Sequence, residues 1–393
     1  MSYIMSKSYY ELKHRKTRVV FVANYAAFYS GNFIASLTEL EKQLIRRGIT
    51  VLYVFPKNAP FCNWEEGGKF DEHHAIHTVD FEPHALTVEL KNIVRSETED
   101  SYTIIHMHFL AWKDIGIITR KLKNENCMFV AQEHMRVDFG RGHSGLTLMR
   151  KCKAYIKQVL YKYATAKCRM IGVSDAVYED LCQIRGKKSQ TYMVRNAIST
   201  SRLDGSRCNS LNLNPLRDVV IFGTHFERKG VDIALNAVIE SELPVRLVVL
   251  THHEQDAEKR LDALYPSWHK YAVVEHVVED IATVYDYALC FISPSRSEAF
   301  GYAVVEAAYC DTQVIASDIP GQNSIRCVPG IQWVKADSVD SLVDALTYCY
   351  EIKSNQSEII KVQKKTQRAY IREHFGLNVW CDEIMKVYGL YEV

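Results

Sequence analysis

The sequence predicts an α/β protein with two doubly wound, Rossmann-like domains, and three observations support this prediction. Short apolar, β-branched runs alternate with segments of helical periodicity along the chain. Two stretches, residues 17–56 and 218–238, share the order strand, glycine-containing loop, helix. The length of 393 residues is too great for one core and suits two domains. Two such halves facing each other would form a cleft, a usual place for a ligand.

The first domain is predicted to span residues 1–200 and to begin with a βαβ unit. Residues 19–23 form an apolar, β-branched run, as expected for a parallel strand buried on both faces. A loop with Gly31 follows, then apolar residues at helical spacing, with Gly48 as the stop. Further strands are predicted at 51–55, 103–106, 128–131 and 170–173.

Residues 201–215 are polar and are predicted to be a linker, and the second domain is predicted over residues 216–372. Its first strand runs into Gly223, a short polar loop, Gly230 and a helix. The chain closes with a long helical tail, predicted from Gln356 to Tyr388 and broken near Gly376. The strands of this domain are predicted at 219–222, 245–250, 273–276, 289–293, 313–316 and 331–334.

Composition excludes several classes of protein. The formal net charge is +1, so no global field recruits nucleic acid. The eleven cysteines include no CxxC pair, which argues against a disulfide framework and a structural zinc site. The first sixteen residues lack the apolar stretch of a secretory signal, and no apolar run is long enough to span a bilayer. These features favour a cytoplasmic protein.

The stretch of residues 293–321, SPSRSEAFGYAVVEAAYCDTQVIASDIPG, holds the most informative pattern. Glu298 lies in a loop after a strand, and Glu306 lies in the helix that follows. In open α/β sheets, ligands bind outside the carboxyl ends of strands, where both residues fall. Backbone N–H groups near Phe300 and Gly301, at the start of the helix, would favour a diphosphate or a sugar oxygen. Carboxylates at such a place need hydroxyls or cations as partners, and sugar hydroxyls would supply them.

This stretch resembles the signature of the retaining glycosyltransferases of family 4, which have the GT-B fold. Their PS-x-x-E-x-F-G pattern and second glutamate are matched by Pro294, Ser295, Glu298, Phe300, Gly301 and Glu306. The resemblance continues through Ser30-Gly31-Asn32, His106, His108, His134, Ser174, Asn196, Gly223 and Lys229-Gly230. It implies that the tail, residues 373–393, is a helix that crosses back onto the first domain.

The resemblance also implies roles for these residues. Glu306 would bind the ribose of a nucleotide-sugar donor, and Glu298 would contact the transferred sugar. Lys229 would neutralise the diphosphate, and His134 would lie close to the sugar and acceptor. No metal or other cofactor is expected, since cations and helix N-termini would carry the leaving-group charge. Further donor contacts would come from Gly31, Gly223, Thr224, Arg228, Ser295, Phe300 and Gly301.

Two points of the pattern leave alternatives open. Family members often place an arginine directly after the strand glycine, where this sequence has Thr224. Either Arg228 or His225 could replace it, and spacing does not choose between them. His106 and His108 have the i, i+2 spacing of metal ligands, but no third ligand is evident and the family pattern accounts for them.

Residues 146–170 are predicted to form a basic amphipathic helix. Apolar residues recur at helical spacing, and seven lysines and arginines occur among them without any acidic residue. Such a helix can lie on an anionic membrane surface. It can also pack on the sheet with a solvated basic face. The sequence therefore leaves open a peripheral contact with the inner face of the cell membrane.

These observations favour a retaining glycosyltransferase. It would move a sugar from a nucleotide-sugar donor, with UDP favoured, to a glycan or lipid-linked acceptor in polysaccharide or glycoconjugate synthesis. One alternative is a UDP-sugar 2-epimerase of the same fold, which needs no acceptor. Another is a non-catalytic, glycan-binding partner subunit, an interpretation to which Thr224 lends weight.

Overall fold

The computed structural model describes residues 16–64, 69–96, 101–137, 139, 148–187, 189–204, 208–354 and 358–391. The chain divides into two units, each built on its own sheet. The first unit combines Met1–Ala197 with Leu377–Val393, and the second is Ile198–Gly376. Residues 208–215, at the end of the predicted linker, belong to the second unit.

The first unit contains a parallel sheet with the strand order β3-β2-β1-β4-β5-β6-β7. Val19 of β1 lies opposite Val51 of β2 and Ile104 of β4, so β-branched side chains meet across the centre of the sheet. The strands are β1 Thr17–Ala23, β2 Thr50–Pro56, β3 Ile76–Val79, β4 Tyr102–His108, β5 Cys127–Glu133, β6 Cys168–Gly172 and β7 Thr191–Met193.

The helices of the first unit include one from the end of the chain. They are α1 Gly31–Ile45, α2 Phe70–His73, α3 Pro83–Arg95, α4 Trp112–Lys121, α5 Leu148–Ala164, α6 Asp175–Arg185 and α14 Leu377–Tyr388. Helix α14 packs on α1, and its buried Trp380 and Tyr388 join the same apolar core as Leu40 of α1. The predicted return of the tail to the first domain corresponds to this contact.

The second unit contains a parallel sheet with the strand order β10-β9-β8-β11-β12-β13. Its order reverses between β8 and β11, so the loops that follow these two strands lie side by side. Its strands are β8 Asp218–Phe222, β9 Arg246–Thr251, β10 Ala272–His276, β11 Cys290–Ser293, β12 Gln313–Ser317 and β13 Ile331–Val334. Its helices are α7 Phe226–Lys229, α8 Val231–Glu240, α9 Glu254–Leu264, α10 Ile281–Tyr287, α11 Tyr302–Tyr309, α12 Val339–Ser354 and α13 Glu358–Phe375.

Every strand predicted from the sequence is present, with ends shifted by at most two residues. Strands β3 and β7, at the two edges of the first sheet, were not predicted. The tail breaks at Gly376 as predicted, whereas its predicted first residue, Gln356, lies outside the described residues. In the part of the chain that the structure describes, no helix has the length and apolar character needed to cross a bilayer.

Candidate functional site

Two loops at the point where the strand order reverses form the core of the site in the second unit. The cation loop, residues 223–230, follows β8, and the carboxylate loop, residues 294–301, follows β11. The backbone N–H of Arg296 donates to the carbonyl of Arg228 at 2.8 Å. Gly230 has φ +73°, and a Cβ there would lie 2.3 Å from the carbonyl oxygen of Pro294. The close approach of the loops therefore requires glycine at this position.

Arg296 ties the carboxylate loop to the helix that follows the cation loop. Its guanidinium pairs with Asp232 at 2.7 Å and with Asp337 at 2.6 Å. The Asp232 side chain contributes most to raising the pKa of Arg296. Arg228 adds a further link, since it donates to the carbonyl of Ser297 at 3.0 Å. This network fixes the backbone on which Glu298 is carried.

The carboxylate of Glu298 lies among three donors. Lys229 Nζ is 2.5 Å from Oε1, Arg228 is 3.2 Å from Oε2, and the Ser295 hydroxyl donates to Oε1 at 3.1 Å. Burial alone would raise the pKa of Glu298, but the charges of Lys229 and Arg228 and these hydrogen bonds outweigh it and lower the pKa. Glu298 is therefore ionised at neutral pH, and its side chain is only 12% exposed.

A third segment closes against the backbone of Glu298. Gly321 lies in the 3₁₀ helix Pro320–Ile325 that follows β12, and a Cβ there would lie 1.6 Å from the carbonyl oxygen of Glu298. The next residue, Gln322, is fully buried, and its Oε1 has no partner within the described residues. The Nε2 of Gln322 lies close to Gly301, 3.4 Å from the position that a Cβ on this glycine would occupy. Neither Gly321 nor Gln322 was identified from the sequence.

Glu306 lies on α11, and its side chain is about as buried as that of Glu298. The hydroxyl of Tyr285 donates to its Oε2 at 3.2 Å, and Arg202 lies 3.7 Å from its Oε1. Burial, and then the charge of Glu306, raise the pKa of Tyr285 well above its ordinary value, so this phenol stays protonated. Arg202 falls within the predicted linker, which is why sequence patterns gave it no role.

The other predicted residues of the second unit occupy different positions around these loops. Gly301 has φ +100° and precedes α11. The Phe300 side chain is buried and packs 5.9 Å from Phe375, so only its backbone can face a ligand. Gly223 allows close strand packing, since a Cβ there would lie 2.5 Å from Val249. Thr224 is half-buried in the cation loop.

The structure also separates the two candidates for the missing arginine. Both side chains are exposed, but Arg228 lies against Glu298, whereas His225 has φ +65°. A positive φ is uncommon for a residue with a side chain and marks a constrained turn. The geometry thus favours Arg228 as the second cation of the site.

The first unit gathers its predicted histidines at the carboxyl ends of β4 and β5. His108 and His134 are joined between Nδ1 and Nε2 at 3.2 Å, and His106 Nδ1 is 2.7 Å from the hydroxyl of Tyr388. Burial lowers the pKa of His106 and of His134 to about 3, and lowers that of His108 well below its ordinary value. All three imidazoles are therefore neutral at physiological pH.

Aromatic rings surround His134. Phe109 stacks on it with ring centroids 4.0 Å apart, and Phe33 meets it edge-on at 5.8 Å. Phe109 has φ +56°, an unfavourable backbone conformation that its ring contacts help to offset. Gly31 begins α1 with φ +55°, near the hydroxyl of Tyr25. These residues place an aromatic surface beside the loop that the sequence predicted to bind a ligand.

Known proteins resemble the second unit in sequence, and solved structures resemble both units in fold. The sequence model of the family glycosyl transferases group 1 matches residues 209–366. No curated protein matches the chain in sequence.

Several solved structures match almost the whole chain. Sucrose-phosphate synthase from Thermosynechococcus elongatus has a TM-score of 0.71 at 16% identity, covering 95% of this chain and 98% of that one. HepE from Anabaena, solved in complex with UDP, has a TM-score of 0.72 at 14% identity, covering 94% and 98%. TarM has a TM-score of 0.66 at 9% identity, covering 96% and 99%. At these identities the likeness shows the fold, which is GT-B.

Proposed function

We propose that this chain transfers a sugar, with retention, from a UDP-sugar to a glycan or lipid-linked acceptor, and the match of residues 209–366 to the sequence model of the group 1 glycosyl transferases supports this proposal. The observation that carries this proposal is the grouping of Glu298, Lys229, Arg228 and Ser295 at the reversal point of the second sheet. Ligands of open α/β sheets bind at such points.

The two glutamates have different roles in this proposal. Glu306, a buried carboxylate that accepts from the hydroxyl of Tyr285, also accepts hydrogen bonds from the ribose hydroxyls. Glu298, kept ionised by its cations, accepts from hydroxyls of the transferred sugar. Ser295 is itself fully buried and acts by orienting Glu298.

Lys229 and Arg228 supply positive charge for the leaving diphosphate. Departure of a nucleoside diphosphate develops negative charge on its oxygens, and fixed cations that stabilise this charge lower the barrier. The diphosphate also accepts hydrogen bonds from backbone N–H groups. These are the N–H groups of Phe300 and Gly301, at the start of α11, and those near Gly223 and Thr224. We propose that these groups replace a metal ion in this role.

The choice of UDP rests on relatives of the same fold. HepE was solved with UDP and with UDP-glucose. Staphylococcus aureus TarM was solved with UDP, fondaparinux and α-GlcNAc-glycerol. We therefore propose a UDP-sugar as donor for this chain. On the acceptor side we assign His134, because a neutral imidazole beside aromatic rings suits a sugar better than it suits an anion. Gly31 stays a proposed donor contact.

A lipid-linked acceptor would bring the enzyme to a membrane. Most side chains of α5 are exposed, including Leu148 at 79%, Tyr163 at 76% and the cation Lys157. Residues 146 and 147 of the predicted basic helix lie outside the described residues. We propose that α5 makes the peripheral contact with the inner face of the cell membrane.

A donor screen tests the proposed function. The full chain is incubated with UDP-, GDP- and ADP-sugars, and nucleoside diphosphate release is measured with and without a mixed acceptor extract. We expect release from one or more UDP-sugars, faster with acceptor. An epimerised donor without UDP would instead indicate the epimerase. If neither product forms, and calorimetry detects no donor binding at millimolar ligand, the result would indicate a non-catalytic partner subunit.

A further inference from the structure

Helix α5 exposes a continuous apolar face. At about 100° per residue, its outward apolar side chains project within an arc of about 140° that contains no polar residue. We call this set the α5 face: Leu148, Met149, Cys152, Tyr155, Ile156, Val159, Leu160 and Tyr163. The seven of these other than Cys152 are between 48% and 79% exposed, and Cys152 is exposed as well. Isolated exposed apolar residues are normal, but a whole helix face of them marks an interaction surface.

Lysines border the α5 face on both sides. On the same projection, Lys151 and Lys162 fall along one edge, and Lys153 and Lys157 along the other. The side turned to the protein carries the half-buried Gln158 and the buried Tyr161. In the described part of the chain, none of the four lysines lies within ion-pairing distance of a carboxylate. Their charge is therefore available to an external anion.

A cavity of about 450 Å³ opens between α4 and α5 at one end of this face. Leu160 and Tyr163 belong both to the α5 face and to the cavity lining, so the two surfaces are continuous. Trp112 and Ile117 add apolar surface to the lining, and Lys113, Arg120 and Lys167 add positive charge.

Among the described residues, the three cations of the cavity have no carboxylate within ion-pairing distance, although the charge of Lys113 acts on the neighbouring Asp114. Lys113 lies 5.5 Å over the ring of Trp112, and Arg120 donates within its own helix to the carbonyl of Gly116. No ion pair neutralises Lys113, Arg120 or Lys167 within the ranges that the structure describes. A cavity that is apolar inside and cationic in three places suits a ligand with a phosphate attached to a hydrocarbon.

We propose that this cavity binds the phosphate and adjoining glycerol of an anionic phospholipid while the α5 face lies in the membrane interface. The inference rests on the membrane contact in the proposed function and adds a lipid class and a binding site to it. An anionic bilayer satisfies both the apolar face and its lysine borders. A second copy would bring lysine borders of like charge together, and nucleic acid would leave the apolar face exposed to water.

Vesicle flotation tests the proposal with the full chain. Phosphatidylcholine vesicles are compared with vesicles containing about 30% phosphatidylglycerol, where each basic residue near the surface contributes about 1 kcal/mol. We expect binding to the anionic vesicles at least about tenfold tighter than to the neutral ones. Equal binding to both, or to neither, would overturn the proposal.

Three charge-matched variants locate the phosphate. The cavity variant is Lys113→Gln/Arg120→Gln/Lys167→Gln, the border variant is Lys151→Gln/Lys153→Gln/Lys157→Gln, and the control is Lys259→Gln/Lys270→Gln/Lys335→Gln in the second unit. We expect the cavity variant to lose the most affinity, about tenfold or more, and the control to lose less than about twofold. If the cavity variant lost no more vesicle affinity than the border variant, the attraction to anionic lipid would be spread over the basic surface, and the assigned site would be wrong.

Two further measurements complete the test. Ile156→Asp/Val159→Asp should abolish binding to either vesicle, because charges would enter the apolar face. Competition by inorganic phosphate at constant ionic strength should leave binding unchanged, and displacement by it would show that free phosphate is the ligand. UDP release by each variant is measured without vesicles. For the wild-type protein, vesicle binding without UDP release would contradict the proposed function alone, and UDP release without vesicle binding would contradict this inference alone.

Discussion

At the scale of single residues, the two glutamates show how similar carboxylates acquire different partners from their surroundings. Both carboxylates are largely buried, but Glu298 lies between two cations, whereas Glu306 faces a phenol and a more distant arginine. The sequence indicated both residues by their spacing and context. It could not show that Lys229 meets Glu298, because 69 positions separate them and only the strand order brings them together.

Replacement of Glu298 should reduce turnover more than donor binding. Glu298→Ala removes the proposed interaction with the transferred sugar, and we expect kcat to fall by about 10²–10³-fold, as for other buried groups that stabilise a transition state. The measurement is UDP release under saturating donor. Glu227→Ala is the matched control, since Glu227 is exposed and belongs to the same short helix as Lys229. A kcat for Glu298→Ala within about twofold of wild type would remove this residue from the site.

The three histidines that folding keeps neutral should make the first unit sensitive to acid. Folding keeps His106, His108 and His134 neutral, whereas the unfolded chain protonates them below about pH 6.5. Their contribution to stability is therefore complete above about pH 6.5 and is lost as the pH falls toward 3, by at most about 1.4 kcal/mol per pH unit for each histidine. Glu133, whose pKa burial raises to about 7, acts in the opposite sense and offsets part of this loss.

Hydrogen exchange in strand β4 checks this prediction. After correction for intrinsic exchange, protection should be clearly lower at about pH 5 than at about pH 7.5. His106→Gln should reduce that difference, because one of the three titrating groups is gone. Protection that does not change with pH in the wild type would contradict the account.

At the scale of secondary-structure elements, periodicity was a good guide to buried strands and a poor guide to edges. The central strands are continuous apolar runs, and the sequence located each of them. Strands β3 and β7 are short edge strands whose exposed and half-buried residues, such as His77 and Thr191, produce no apolar run. Arg202 and Gly321 were missed for a related reason. Each is placed in the site by its contact with a distant residue, Glu306 and Glu298 respectively, and neither belongs to a local sequence pattern.

Gly321 provides a test of how tightly the segments around Glu298 are packed. In Gly321→Ala, the new methyl group would lie 1.6 Å from the carbonyl oxygen of Glu298, so one segment must move. We expect UDP release to fall by about 10²-fold, since displacement of about 1 Å has that cost in other enzymes. Gly48→Ala is the control, because its methyl group would enter open space, so that its cost is only the strain of an alanine at φ +74° and no segment of the site must move. Equal activity of the two variants would contradict the packing described for the site.

At the scale of the whole molecule, the chain repeats one architecture and assigns different chemistry to each copy. The second unit collects ionised groups, and the first collects neutral imidazoles and aromatic rings at the ends of its strands. The sequence predicted the repeated architecture because each unit begins with the same strand, loop and helix. It could not predict the balance of charge in the sites, which depends on contacts between distant segments.

The central claim is that the second unit binds the nucleotide of the donor through Glu306 and the cations around Glu298. Titration calorimetry of UDP against the wild type and Glu306→Ala tests it most directly. We expect the wild type to bind UDP, and the variant to bind about 10- to 100-fold more weakly, because hydrogen bonds to a charged group contribute about 1.5–3 kcal/mol. Equal UDP affinity in the two proteins, or no UDP binding by the wild type at millimolar ligand, would contradict the claim.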